Sequence, residues 1–160
     1  MPYLLTKKGE TKMLLIGTKN TTSQTVLTDG LVNIGNVYRK YCRRASNGLP
    51  TFSNTATGIT LNGEGIYHIT ATLIGSGTAA GTLTVQMLTD AQVVAGDLTS
   101  ETITTADTEV RTLVIDTYVK VDRQCTLGCV STDAKTISLQ NTGVGATFTN
   151  VVINIDKVVG

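Results

Sequence analysis

The amino-acid sequence predicts an all-β protein, an antiparallel sandwich of two sheets, from three observations. Thirty of the 160 residues are threonine and only 16% of residues are charged, which favours half-buried pleated surfaces and excludes a disordered chain or a coiled coil. From Thr25 onward, short β-capable runs alternate with Gly, Asn and Asp, as in a sandwich or barrel. The strongest runs alternate apolar and polar residues, and no stretch has helical periodicity.

Two runs in the middle of the chain have the clearest period of two. In residues 65–74, one face carries Tyr67, Ile69, Ala71 and Leu73 and the other is polar. The run 82–88 alternates in the same way, and the glycines between the two runs predict a hairpin. Roughly eight to ten strands are expected, which suits a two-sheet sandwich. Further predicted strands cover residues 109–115, 118–121, 136–140 and 147–158.

The domain organisation predicted from composition is an N-terminal arm, residues 1–24, followed by one β-domain, residues 25–160. The arm is mostly polar around a single apolar burst at 13–16 that predicts one strand. No apolar run has the length of a signal-peptide core or a membrane span, so we expect neither export nor a membrane partner. The 13 basic and 12 acidic residues give a net charge of +1, which offers no long-range field for nucleic acid.

The three cysteines, Cys42, Cys125 and Cys129, are odd in number, so at least one is free or pairs between chains. This favours a protein made in a reducing cytoplasm. Small buried thiols are one interpretation, and a bridge between Cys125 and Cys129 in a short turn is the other.

Catalytic residue patterns are missing from the sequence. His68 is the only histidine, it lies in mid-strand on the polar face, and it lacks the neighbours of a triad or a metal site. The closest carboxylates, Asp107 and Glu109, precede a predicted strand, and nothing marks them as a catalytic pair. The glycines at 75–81 have turn spacing, not phosphate-loop spacing. We therefore expect no enzyme, no cofactor and no metal site.

The densest positive charge lies in residues 38–44, which contain four basic side chains and two tyrosines. In a strand, Arg39, Tyr41 and Arg43 face one side and Tyr38 and Lys40 the other, so the charge is split between faces. We expect a solvated edge strand protected by charge, or a contact to an acidic protein, in preference to a nucleic-acid site.

Three strands resemble the core of C1q/TNF-like jelly-roll domains, particularly the short versions in structural proteins of tailed bacteriophages. They are GIYHI at 65–69, GTLTVQM at 81–87 and NVVINIDK at 150–157. The size, the Thr and Gly content, the arm and the final Lys-Val pair resemble the phage proteins as well. The chain departs from the family in its aromatic content of 4%, so a trimer interface would use Val, Ile, Leu and Thr.

The resemblance implies a C1q/TNF-like jelly roll that forms a homotrimer and decorates a capsid or builds a head fibre. The arm would contact the major capsid protein or another virion protein, and the mature protein would lie on the virion surface after synthesis in the host cytoplasm. Candidate interface residues are Tyr3, Leu4 and Leu5 in the arm and Tyr67, Tyr118 and Phe148 in the β-domain.

Two alternatives remain at this stage. In one, a protein of the same fold binds a receptor or glycan through the loops at 75–81 and 100–108, because the loops of a rigid sandwich often form binding sites. In the other, carboxylates from distant strands assemble an active site.

Overall fold

The computed structural model describes residues 15–41, 52–126 and 129–159, and within these ranges all regular structure is β-strand. Within the same ranges, no helix is long and apolar enough to span a membrane. The strands are Leu15–Asn20 (β1), Gln24–Val26 (β2), Asn36–Tyr41 (β3), Phe52–Asn54 (β4), Gly58–Leu61 (β5), Gly65–Gly77 (β6), Gly81–Thr89 (β7), Gln92–Ile103 (β8), Val110–Val121 (β9), Arg123–Thr126 (β10), Cys129–Thr132 (β11), Lys135–Asn141 (β12) and Ala146–Val159 (β13).

The strands form two antiparallel sheets that pack as a sandwich. The six-stranded sheet has the order β3-β1-β13-β6-β9, with β2 also pairing with β13, and the five-stranded sheet has the order β4-β5-β12-β7-β8. Strands β10 and β11 form a separate two-stranded ribbon. The all-β, two-sheet prediction is confirmed.

The predicted hairpin between the runs at 65–74 and 82–88 is wrong. Strand β6 pairs with β13 and β9, whereas β7 pairs with β12 and β8, so the connection at 78–80 crosses from one sheet to the other. Alternation and glycine spacing predict two strands and a turn, but they do not show which strands pair. The runs predicted separately at 109–115 and 118–121 form the single strand β9.

The hydrophobic core lies between the two sheets, and it follows the alternation of the sequence. On β6 the predicted apolar face, Tyr67, Ile69, Ala71 and Leu73, is fully buried. On β13 the period shifts at a bulge between Phe148 and Asn150, so Phe148 is buried and Thr149 is exposed. The bulge inserts one extra residue between the buried positions Phe148 and Val151, which a strict period of two along the strand does not accommodate.

One polar side chain in the core, Asn141, joins three chain segments. It is fully buried at the end of β12. Its Nδ2 donates to the carbonyl oxygens of Val26 and Val144 at 3.0 and 2.8 Å, and its Oδ1 accepts from the Gly143 amide at 3.2 Å. Because a buried amide without partners is costly, these bonds make Asn141 a structural clamp.

The segment predicted as an arm contains a strand of the sandwich. Strand β1, Leu15–Asn20, lies between β13 and β3 in the six-stranded sheet, and Ile16 and Thr18 are fully buried. This portion of residues 1–24 is therefore integral to the β-domain. Residues 1–14, the remainder of the predicted arm, lie outside the described residues.

Candidate functional site

The outward side of the six-stranded sheet carries a row of apolar side chains along β9. The burial of β9 alternates, and Val110, Val114 and Tyr118 point away from the core with exposed fractions of 59%, 50% and 63%. Strand β9 is the last strand of the sheet. This apolar edge row, Val110, Val114 and Tyr118, therefore alternates with Thr112 and Asp116 on the outward face of a strand that ends its sheet among the described residues.

Beside the apolar edge row, His68 on β6 contacts two residues of β9. Its Nε2 lies 2.5 Å from Asp116 Oδ1, and its ring lies 4.9 Å from the Tyr118 ring, between centroids. The register places Asp156 of β13 opposite His68 on the other side. His68 thus holds Tyr118 against the sheet and is satisfied by a carboxylate, as expected for a structural histidine.

One polar atom on this side of the sheet has no described partner. Asn150 Oδ1 is buried against its neighbours and accepts no hydrogen bond among the described residues. In the register, Asn150 of β13 faces Ile74 of β6, which faces Thr112 of β9. Because this oxygen is enclosed by its own chain, it is a buried acceptor without a described partner and not part of the exposed surface.

Comparison with solved structures identifies the fold. Eiger TNF from S. frugiperda superposes with a TM-score of 0.60 at 9% identity, covering 91% of both chains. The globular domain of zebrafish complement 1qA protein gives 0.57 at 7% identity, over 91% of this chain and 97% of that one. Murine APRIL gives 0.59 at 6% identity, over 91% and 99%.

The chain has the C1q/TNF jelly-roll fold. This confirms the fold class that the sequence resemblance implies. No family model matches the chain, and no curated protein matches it. At these identities the likeness concerns the fold alone.

The predicted interface residues of the β-domain differ in burial: two lie in the core and one is exposed. Tyr67 and Phe148 have no exposed surface in the single chain, so they have no area to bury against a partner and are wrong as interface anchors. Tyr67 is a core residue whose hydroxyl donates to the Gly63 carbonyl oxygen at 2.7 Å, and burial raises its pKa to about 12. Tyr118 belongs to the apolar edge row and stays a candidate.

Three further candidates and one cysteine cannot be placed. Tyr3, Leu4 and Leu5 lie outside the described residues, as does Cys42. Cys125 on β10 pairs through its backbone with Val130, and Cys129 on β11 pairs with Thr126.

Of the two residues singled out by spacing, Glu109 uses its carboxylate, and Asp107 its backbone amide, to fix the loop before β9. Glu109 accepts hydrogen bonds from the Thr104 hydroxyl and from the Thr105 amide, the latter at 2.7 Å, and it pairs with Arg111 at 2.7 Å. The Thr104 hydrogen bond is the main cause that lowers the pKa of Glu109. The Asp107 amide donates to the Gly77 carbonyl oxygen. Within the described ranges, no three His, Cys, Asp or Glu residues come together as metal ligands.

The described part of the basic segment, residues 38–41, lies in an edge strand, as predicted, and residues 42–44 lie outside the described residues. Strand β3 is at the opposite edge of the sheet from β9, and Arg39 lies over the Tyr38 ring at 5.5 Å. The Tyr38 hydroxyl donates to Asn154 Oδ1 at 2.7 Å. Tyr38 therefore covers part of β13, and the charged side chains protect the edge.

The N-terminal entry of the chain and two of the connecting loops lie at opposite ends of the sandwich. The chain enters the sheet at Leu15, which pairs with Asp156 of β13. Asp156 in turn pairs with His68 of β6. The entry point is therefore at the end of the sheet that carries His68 and Tyr118. Ser76 pairs with Val110 at the other end, where the connections 78–80 and 104–109 lie. The loops proposed for recognition are thus at the far end of the sheet from the N-terminal segment.

Proposed function

We propose that the chain is a non-enzymatic structural protein of a tailed-phage virion. It forms a homotrimer and attaches to the capsid surface through residues 1–14 as a decoration or head-fibre protein. Its major capsid protein, or another virion protein, is the partner of the N-terminal segment. The observation that carries the trimer is the apolar edge row on a C1q/TNF jelly roll.

The apolar edge row supports a closed oligomer because its three side chains lie on one outward face of an edge strand. Val110, Val114 and Tyr118 are each half or more exposed, and they alternate on that face with Thr112 and Asp116. A head-to-tail contact closes into a ring when the strip of one copy meets a different surface of the next. The remainder of the outward side, with His68 and Thr70, provides that second surface.

The virion part of the proposal is supported by the sequence resemblance and by the position of the chain entry. Because residues 1–14 join the sheet at one end and the loops lie at the other, a trimer can hold three N-terminal segments toward a particle and project its loops outward. Three weak attachments on one rigid body bind a lattice position far more tightly than one does.

Deletion of residues 1–12 tests this proposal, because it leaves β1 and its buried Ile16 in place. A deletion extending to residue 20 removes β1 from the sheet and confounds attachment with folding. The measurement is co-sedimentation of the trimer with particles assembled from the capsid protein of the same genome. The full chain is expected to co-sediment and the truncated trimer to stay in the supernatant.

A full-length variant with Tyr3, Leu4 and Leu5 all changed to Ser serves as the second test, since it keeps the chain length. It is expected to lose particle binding while its solution mass stays that of the parent. Particle binding retained by both the deletion and the triple variant would overturn attachment through this segment.

A further inference from the structure

A polar cleft lies at the side of the sandwich where β3 and β4 form the two sheet edges. We call it the edge cleft. It has a volume of about 630 Å³, and three segments line it: the β1–β2 turn from Asn20 to Gln24, the loop from Asn33 to Asn36 and the β4–β5 turn from Asn54 to Ala56. The apolar edge row is on the opposite side of the sandwich, on β9.

Hydrogen bonds hold the three segments of the edge cleft in fixed positions. Gln24 Nε2 donates to the Asn33 carbonyl oxygen at 2.7 Å, and the Asn33 amide donates to Gln24 Oε1 at 2.8 Å. Asn20 Nδ2 donates to the same carbonyl oxygen at 3.0 Å. The Ile34 amide donates to the Ala56 carbonyl oxygen at 2.8 Å. The cleft is thus pre-formed, which lowers the entropic cost of binding a ligand.

Gly35 permits the close packing of the loop 33–36 on β1. Its φ is +76°, and a Cβ at this position would lie 2.1 Å from the Lys19 carbonyl oxygen. Only glycine adopts this conformation without a clash.

A second set of polar groups in the edge cleft is free to meet a ligand. Neither the side-chain amides of Asn36 and Asn54 nor the hydroxyls of Ser23 and Thr55 have a described hydrogen-bond partner, and all four residues are exposed. An amide offers two donors and an acceptor, and a hydroxyl offers one donor and an acceptor. The cleft therefore presents both hydrogen-bond donors and acceptors on segments that are themselves held in place by hydrogen bonds.

The chemistry of the described lining residues favours a neutral ligand. Among the described residues, none that lines the edge cleft is charged or aromatic. A phosphate, sulfate or carboxylate ligand needs a cation or a helix N-terminus to replace its hydration. Each sugar hydroxyl can donate one hydrogen bond and accept others, so sugar hydroxyls can pair with both the side-chain amides and the hydroxyls of the cleft.

We propose that the edge cleft binds the terminal residue of a neutral glycan. The cleft lies within one chain, so binding does not require the trimer or the virion role. Because the described lining has no aromatic ring to stack on the sugar, we expect one cleft to bind weakly, with a dissociation constant on the order of 1 mM. Several clefts on one oligomer would raise the avidity.

Titration of the ¹⁵N-labelled protein with saccharides tests the proposal. The probes are the methyl glycosides of glucose, galactose, mannose and N-acetylglucosamine, with sialyllactose as the acidic comparison. We expect saturable shifts of the Asn36 and Asn54 side-chain amide signals with at least one neutral glycoside and a weaker response to the sialylated sugar.

Two cleft variants and one matched control locate the binding. Asn36→Ala and Asn54→Ala each remove one exposed amide, and each is expected to weaken binding on the order of fivefold while the remaining spectrum is unchanged. Gln92→Ala removes an exposed amide from β8, at the opposite edge of the five-stranded sheet, and is expected to bind as the parent does. The proposal is overturned if no neutral glycoside shifts the cleft signals at 20-fold its expected dissociation constant, about 20 mM, or if the Gln92 variant weakens binding as much as the cleft variants.

Discussion

Replacement of Tyr118 by serine should dissociate the oligomer without unfolding the chain. The Tyr118 side chain is 63% exposed in the single chain. A tyrosine offers about 200 Å² in total, so about 125 Å² is available to a partner, and at about 25 cal/mol per Å² of apolar area its complete burial contributes at most about 3 kcal/mol per chain, before the cost of ordering the interface. Summed over three chains, this is enough to determine whether a trimer persists at micromolar concentration.

Sedimentation equilibrium over a range of concentrations measures the effect. Tyr118→Ser is expected to give the mass of one chain, 16.9 kDa, where the parent gives the mass of the oligomer. Leu27→Ser is the matched control, because Leu27 is 73% exposed and lies before β3, away from β9. It should keep the oligomer.

The folded state of the Tyr118 variant is checked by its near-ultraviolet circular dichroism and its denaturant midpoint as a monomer. Loss of an exposed side chain changes the free energy of unfolding by about 0.5 kcal/mol or less. An unchanged oligomer mass for Tyr118→Ser, or equal dissociation of Leu27→Ser, would refute the assignment of the apolar edge row as the interface.

Three further predictions concern buried polar groups. The unfolded chain ionises Tyr67 near its ordinary pKa of 10, while the folded chain keeps its proton until about pH 12; the free energy of unfolding should therefore fall by about 3 kcal/mol across this window. Urea titrations at pH 9 and pH 12 should show a smaller loss in Tyr67→Phe. Asn141→Ala should lower the free energy of unfolding by about 2 to 4 kcal/mol, since it leaves the Val26 and Val144 carbonyl oxygens unpaired in the core; a cost below 1 kcal/mol would contradict its clamp role. Asn150→Ala removes a buried Oδ1 that has no described hydrogen-bond partner, so it should change the free energy of unfolding by no more than about 1 kcal/mol in urea titrations. A larger loss would show that this oxygen has a partner in the folded chain.

The sequence predicts the strands of this fold better than their partners. Alternation along 65–74 identifies β6 and its buried face, because each side chain of a strand in a sandwich meets either core or solvent. Pairing depends on contacts between residues far apart in the chain, such as Ser76 with Val110, and no local pattern encodes them. The predicted hairpin between β6 and β7 is wrong for this reason.

The candidate sites, like the strand pairing, could be predicted only in part from the sequence. Aromatic residues are the natural candidates for an interface, but only the strand register separates Tyr118, which is exposed, from Tyr67 and Phe148, which are buried. Alternation on β9 marks Val110 and Val114 as outward-facing once the strand is known to continue through Thr117. The edge cleft combines three segments that are distant in sequence, so no local pattern predicts it. In the sequence, its asparagines are typical turn residues, and only the hydrogen bonds around Asn33 in the structure show that they belong to one site.

The solution mass of the full chain, measured by light scattering, tests the central claim most directly. Three chains of 16.9 kDa give about 51 kDa, and the account predicts this value at micromolar concentration. A mass of one chain at all concentrations up to the millimolar range would contradict a trimer built on the apolar edge row.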